Sequence, residues 1–357
     1  MRVDLFDYHL PPELIAQKPL SARHDSLLLA IDCERRRIEH RHFRDLPGFL
    51  RSGDCLVLNS SRVRRARIHG RKEGGGAEIE LLLLRQDDEG NWLALARPSR
   101  RLRVGNKISF AGGEMEGEIV EKREKGEISI RLCGRQGRPI EEIVESIGEV
   151  PLPPYIKAEL DDPERYQTVF ASQLGSSAAP TAGLHFERQD MRGLQDMGVE
   201  LAFLSLQVGL DTFRPMQTEL VEEHRIHMEK YSIDEKACES INATRKRGGR
   251  VVAVGTTVVR ALESCTSGGE AMPFSGDTNL FIYPGFRFQL VDGLLSNFHL
   301  PRSSLLALVC AFAGTDLAMA AYAEAVSHGY RFLSLGDACF FNFVNGRKDQ
   351  RTVRKPA

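Results

Sequence analysis

A chain of 357 residues has room for two domains, and 42% hydrophobic with 27% charged residues is the balance of an ordinary folded protein, which excludes wholesale disorder. A net charge of −1, from 48 Lys and Arg against 49 Asp and Glu, excludes a surface built throughout to coat nucleic acid, so any basic face must be local. Seven widely spaced cysteines without a Cys-x-x-Cys pair exclude a disulfide framework or zinc ribbon, and the longest apolar run, Leu305 to Ala313, is far short of the ~20 residues that span a bilayer. With acids and prolines where a signal peptide would be apolar, a soluble cytoplasmic protein with no membrane partner is expected.

In chain order, HDSLLLAID and DCLVLN read as short buried strands. From about Arg64 the texture changes to short alternating segments, ARIHGR, AEIELLLL, NWLALAR, KISF, EGEIVEK and EISIRL, parted by Gly-rich turns, which is the pattern of a small antiparallel barrel. The stiff PLPP cluster at 151–154 marks its end, so residues 63–154 are read as an inserted β-barrel domain. The remainder, 1–62 plus 155–357, is read as a large mixed α/β domain. In it Asp162 and Pro163 open an expected helix over PERYQTVFASQL, and a second helix runs from about Glu187 to Met197. VELAFLSLQVG is a strand, Asp234 to Arg247 a helix, RVVAVG a strand and TTVVRALES a helix. Pro301 is expected to open one more and Thr315 to cap the last before Gly329 ends it.

Chemistry is sought where strands end. The VGTT turn sets Gly255, Thr256 and Thr257 at the carboxyl end of a strand, where free amides attract a carboxylate or phosphate; a plain helix cap is the alternative. EEHRIHMEKYSI carries His224 and His227; if extended, it sets His227, Glu229 and Tyr231 on one face, but lacks a third firm metal ligand. PTAGLHF holds Thr181, Gly183 and His185 on a tight backbone, and NFHLP sets Asn297 and His299 around Phe298, an arrangement able either to pair with and stack on a base or to pack a core turn. From Arg62 to Phe110 twelve Lys and Arg face six acids; this local excess suits a phosphate backbone, or else a salt-bridged surface.

The blocks FDYHLPPELIAQKPL, GDCLVLNSSRV, AAPTAGLHF, EEHRIHMEKY, VVAVGTTVVRALES, TNLFIYPGFRF, NFHLPRSSLLALVCAFAG and YRFLSLGD, in this order from residue 4 to about 340, resemble the S-adenosylmethionine:tRNA ribosyltransferase-isomerase family of queuosine biosynthesis. The resemblance implies an α/β domain interrupted by a β-barrel. It also implies transfer and isomerisation of the ribosyl group of S-adenosylmethionine onto 7-aminomethyl-7-deazaguanine at the tRNA wobble position, giving epoxyqueuosine, adenine and methionine. S-adenosylmethionine is then a co-substrate; no metal or further cofactor is implied, and a monomer is expected. His185, His299, His227 and Asp211 become the candidates for catalysis. Thr181, Gly183, Gly209, Thr212, Glu229, Gly255, Thr256, Thr257 and Asn297 become those for S-adenosylmethionine. Arg62, Arg64, Arg65 and Arg67 become those for tRNA.

This sequence departs from the family pattern at Gln207, where a His precedes Val-Gly, at Ser60 and Ser61, at Leu27 in place of Arg and at Leu335 in place of Tyr. Two other classes compete: a degenerate homologue that binds tRNA without catalysis, and an unrelated metal-dependent hydrolase built on the His/Glu cluster.

Overall fold

A computed structural model describes residues 1–209 and 215–346. The chain divides into two compact units, 1–62 with 153–357 and 63–152.

The smaller unit is a closed antiparallel barrel of six strands in the order Glu127–Gly134, Trp92–Arg97, Glu78–Gln86, Arg67–Lys72, Lys107–Phe110 and Met115–Lys122. Its alternation is literal: in Glu78–Gln86, Ile79, Leu81 and Leu83 point inward while the residues between them are half-buried or exposed. The interior is filled by these side chains together with Ile68, Trp92, Ile108, Phe110, Ile119 and Ile130. A filled barrel of this size is a packed core of its own, and closure leaves no open sheet edge.

The larger unit is built on a nine-stranded sheet in the order Phe274–Thr278, Glu229–Ile233, Glu200–Leu206, Cys55–Asn59, Val251–Val254, Gly293–Asn297, Ala338–Asn342, Leu27–Asp32 and Arg37–His42. The central run from Glu200–Leu206 to Gly293–Asn297 is parallel, as is the pair Ala338–Asn342 with Leu27–Asp32; the remaining pairs are antiparallel. Its middle strands are continuous apolar runs because both faces are covered. Val57, Val251, Ala253 and Leu294 face the helices Glu235–Lys246, Thr256–Ser264, Ser304–Ala313 and Thr315–Ser327. Leu56, Leu58, Val252, Val254 and Leu295 face the other way, onto Ala182, Phe186, Met191 and Leu194 of the turn Thr181–His185 and the helix Arg188–Asp196. Among the described residues no single helix is long and apolar enough to cross a membrane.

A buried ion pair ties the start of this sheet together. Arg250, just before Val251–Val254, donates from Nε and Nη2 to Asp54, just before Cys55–Asn59, with Nη2 to Oδ2 at 2.5 Å. It also donates to Asn342 Oδ1 (2.7 Å) and to the Phe49 carbonyl (2.9 Å). Both charged side chains are almost fully buried.

Three expectations from the sequence are corrected. The helix over PERYQTVFASQL is a single 3-10 turn, Pro163–Tyr166: Asp162 does cap it, accepting from the Glu164 amide, but the chain then turns extended into Gln173–Ser176. Phe170 instead lies near Phe186 and Phe203, with ring centroids 6.5 and 5.8 Å away, so tertiary packing overrides the local start signal. Pro301 does not open a helix. Ser303 caps the one that starts at Ser304, and Thr315 is the first helical residue after the cap Gly314.

Candidate active site

Two adjacent parallel strands, Val251–Val254 and Gly293–Asn297, end at the same edge of the sheet, and the turns that leave them wall a cleft. Its open space, with the solvent at its mouth included, is about 600 Å³. Its polar lining comes from Thr181, Thr256, Thr257, Ser296, Asn297, His299, Ser303 and Ser334, and its apolar lining from Ala179, Ala182, Val208, Leu300, Leu305 and Leu333.

On the first strand's side, Gly255 begins the helix Thr256–Ser264 with φ +100°, and its amide donates to the Leu295 carbonyl at 2.7 Å. Among the described residues no side chain caps this helix, so the first-turn amides of Thr256 and Thr257 stand at the ligand space as donors at the positive end of the helix dipole. An anionic group is what such an end accepts. Gly255→Ala should therefore weaken ligand binding: the cost comes from backbone strain at positive φ, of order 1 kcal/mol or more, because a Cβ here would make only ordinary contacts with Thr257 and Ala182. Calorimetric titration with S-adenosylmethionine should show roughly fivefold or greater loss, and unchanged affinity would remove the helix end from the ligand site.

On the second strand's side the chain is pinned at Phe298. Its ring is fully buried among Tyr322, Tyr330 and Phe332, at centroid distances of 5.2, 5.7 and 4.9 Å. Of the two readings the sequence left open for it, this packing is that of a core turn, and it anchors the turn at the cleft. The main chain of His299 is held from both sides, its amide donating to Tyr322 Oη (3.2 Å) and its carbonyl accepting from Tyr8 Oη (2.5 Å). Its ring has Nε2 within 3.0 Å of Ser296 Oγ, while Nδ1 has no hydrogen-bond partner among the described residues.

His185 is placed differently. Asn297 Nδ2 donates to the Leu333 carbonyl (3.1 Å), which fixes the amide's orientation, and donates also to His185 Nε2 at 3.2 Å. Nδ1 of His185 therefore carries the proton and donates to Ser26 Oγ at 2.8 Å. Both ring nitrogens are used, and the ring stacks on Phe43. The buried Asn297 Oδ1 has no partner among the described residues and lies beside the cleft, an acceptor that a ligand donor would satisfy.

Burial pushes the pKa of His299 down to about 3, and burial followed by the charges of Arg331 and Arg23 does the same for His185. Both rings are thus neutral in the fold, whereas in the unfolded chain they protonate near 6.5. Between those values only the unfolded state binds the proton, so stability is complete above 6.5 and falls as pH drops toward 3, by roughly 1.4 kcal/mol per pH unit for each histidine. Denaturant melts from pH 6 to pH 4 should show this slope lowered by that amount in His299→Gln. An unchanged slope would mean that the ring is not held neutral.

The other residues singled out from the sequence are scattered. Gly183 lies behind the cleft, where a Cβ would come within 3 Å of Phe170 and Thr168, so it is a close-packing residue. Glu229 is buried and ion-paired with Arg260, and it accepts from the Gly209 amide at 3.2 Å; its carboxylate is committed there and does not line the cleft. His227 is exposed just before the strand Glu229–Ile233, on whose buried face Glu229 and Tyr231 lie. Asp211 and Thr212 lie outside the described residues. Arg62 is paired with Glu164 (2.7 Å), Arg64 lies over the Trp92 ring (4.9 Å), Arg65 is 3.8 Å from Glu145, and Arg67 belongs to a barrel strand. The sequence reading missed Tyr155 and Ser334, joined by a 2.7 Å hydrogen bond at the cleft wall, and also Ser296 and Ser303.

A family model described as queuosine biosynthesis protein matches residues 3–341. The chain is similar to the S-adenosylmethionine:tRNA ribosyltransferase-isomerase of Carboxydothermus hydrogenoformans, with 51% identity over 338 residues covering 95% of this chain and 99% of that protein. It is also similar to the crystal structure of S-adenosylmethionine tRNA ribosyltransferase from Thermotoga maritima, at 37% identity and a TM-score of 0.55 over 94% of this chain and 99% of that one. The mixed α/β fold with a barrel, expected from the sequence, agrees with that likeness. The chain therefore belongs to the queuosine biosynthesis family of S-adenosylmethionine:tRNA ribosyltransferase-isomerases and is an enzyme of that transferase and isomerase class.

Proposed function

We propose that this enzyme moves and isomerises the ribosyl group of S-adenosylmethionine onto 7-aminomethyl-7-deazaguanine at the wobble position of tRNA, forming epoxyqueuosine and releasing adenine and methionine. The observation that carries this reading is one cleft in which an uncapped helix end and a buried neutral histidine with a free nitrogen face the same space.

The first-turn amides of Thr256 and Thr257 take the methionine carboxylate, which sets the sulfonium and ribose within the cleft. The sulfonium acidifies the ribose methylene beside it, and His299 Nδ1 removes one of those carbon-bound protons. Burial keeps the ring neutral before reaction, and with Nε2 protonated and donating to Ser296 Oγ its Nδ1 is the acceptor; the same burial makes it a weak base, and once protonated a strong acid, suited to returning a proton to departing adenine. Asn297 Oδ1 accepts from a ribose hydroxyl or the adenine amino group. His185 acts by holding Asn297 rather than by moving a proton. S-adenosylmethionine is consumed as a co-substrate, and this scheme calls for no metal or further cofactor.

The test is incubation with S-adenosylmethionine and tRNA bearing 7-aminomethyl-7-deazaguanine, followed by digestion, mass spectrometry of the nucleosides and measurement of adenine. Epoxyqueuosine formed only with both substrates supports the reading. Binding of both without adenine release would replace it with a homologue that binds tRNA without catalysis.

A further inference from the structure

Beside the ligand cleft lies a second one, with Ser334 in the walls of both and the Asn297–His185 hydrogen bond forming part of the partition. Three guanidiniums line it, from positions far apart in the chain: Arg23, Arg165 and Arg331, each half-buried.

These arginines are held mainly by backbone carbonyls. Arg23 donates to the carbonyls of Leu184 (2.9 Å) and Glu164 (3.3 Å), Arg165 to those of Ser21 (3.0 Å) and Leu20 (2.6 Å), and Arg331 to those of Lys18 (3.1 Å) and Leu335 (2.6 Å). A carbonyl orients a guanidinium without cancelling its charge. The carboxylates nearby do little more. Asp337 stands 3.9 Å from Arg331 Nε, and its oxygens accept instead from the amides of Leu27 (3.0 Å) and Arg331 (2.7 Å). Glu164 is paired with Arg62, while Glu187 accepts from the Arg23 backbone amide (3.1 Å) and, with Asp162, favours the Arg23 charge with no hydrogen bond to its guanidinium among the described residues. Arg165 Nε is buried with no acceptor among the described residues. Burial and the charge of Arg165 both work against the charge on Arg23, which an incoming anion would relieve.

We propose that this cleft binds a backbone phosphate of the tRNA adjoining the nucleotide being modified. Preorganised guanidinium forks match the oxygens of a phosphodiester, and the site lies beside the cleft where the base must meet its co-substrate. The inference rests on the proposed function in taking tRNA as substrate, and it moves the decisive phosphate contact away from Arg62–Arg67.

The test is fluorescence anisotropy with an anticodon stem-loop RNA, comparing the wild type with Arg165→Gln, Arg165→Lys and Arg331→Gln. A second RNA carries an uncharged methylphosphonate at each linkage flanking the wobble nucleotide in turn. The expected result is roughly tenfold or greater weakening with Arg165→Gln, a smaller loss with Arg165→Lys, and a slope of log affinity against log salt reduced by about 0.7. At one linkage the methylphosphonate should weaken the wild type but not Arg165→Gln further, while the affinity for S-adenosylmethionine stays the same. Variants that keep their melting temperature and bind RNA as the wild type does would overturn the inference, as would a loss confined to S-adenosylmethionine, which would assign the cleft to the co-substrate. A wild type that binds no RNA would overturn both this inference and the function beneath it, whereas RNA binding with the expected cycle but no product would overturn the function alone.

Discussion

His299→Ala is expected to lower kcat by about 10²–10⁴-fold while leaving the KM for S-adenosylmethionine within a few-fold of its original value. The ring sits at the cleft with Nε2 held by Ser296 and Nδ1 free, so truncation removes a proton acceptor and few binding contacts. Ser296→Ala should cost less, since the turn stays anchored by Phe298 and by the two tyrosine hydroxyls on the His299 main chain, while the ring loses its alignment. His185→Ala should behave differently, losing stability together with activity, because both its nitrogens support neighbours. Steady-state release of adenine would distinguish the three. A kcat for His299→Ala within threefold of the wild type would eliminate His299 as the base and turn attention to the segment that holds Asp211.

Asp54→Ala should destabilise the larger unit by about 3–5 kcal/mol, the usual penalty for stranding one member of a buried pair. Arg250 would keep its bonds to Asn342 and the Phe49 carbonyl but lose every carboxylate contact at a site with almost no solvent. Replacing both members, as Asp54→Leu with Arg250→Met, should recover only part of that loss: no buried charge remains, but the amides of Arg51 and Arg250, the Asn342 side chain and the Phe49 carbonyl lose their partners. Urea unfolding followed by circular dichroism measures both. A single-variant loss below about 1 kcal/mol would show that the pair is solvated and that the sheet does not depend on it.

The parts of this molecule that were legible in its sequence are those whose signal is local. The barrel strands announce themselves because period-two alternation and Gly turns repeat within each short segment, as in Glu78–Gln86. Gly255, Thr256 and Thr257 were visible because a strand end, a glycine and a helix start are contiguous. The aborted helix after Pro163 was not, because its true start signal at Asp162 is outweighed by packing of Thr168 and Phe170 against Gly183, a contact between segments. The arginine cleft was invisible for the same reason: the charge excess that drew attention lies within residues 62–110, whereas Arg23, Arg165 and Arg331 meet only after folding. Glu229 shows the converse: a polar residue plausible for a ligand, it lies in an ion pair with Arg260, thirty-one positions away, which its own segment does not announce.

The parallel pairing of Leu27–Asp32 with Ala338–Asn342 has a consequence for how the molecule is made. One of the first strands to leave the ribosome must wait for the last before that partnership can form, roughly 15–60 s at ~5–20 residues per second. During that interval its only available neighbour in the sheet is the hairpin partner Arg37–His42, and Leu28, Leu29 and Ile31, all buried in the finished protein, lack their final cover. The barrel strands, confined to 67–134, can close long before. The barrel can thus be complete while the sheet is not, and truncation before Ala338 should yield chains whose barrel segment resists proteolysis while the α/β unit does not.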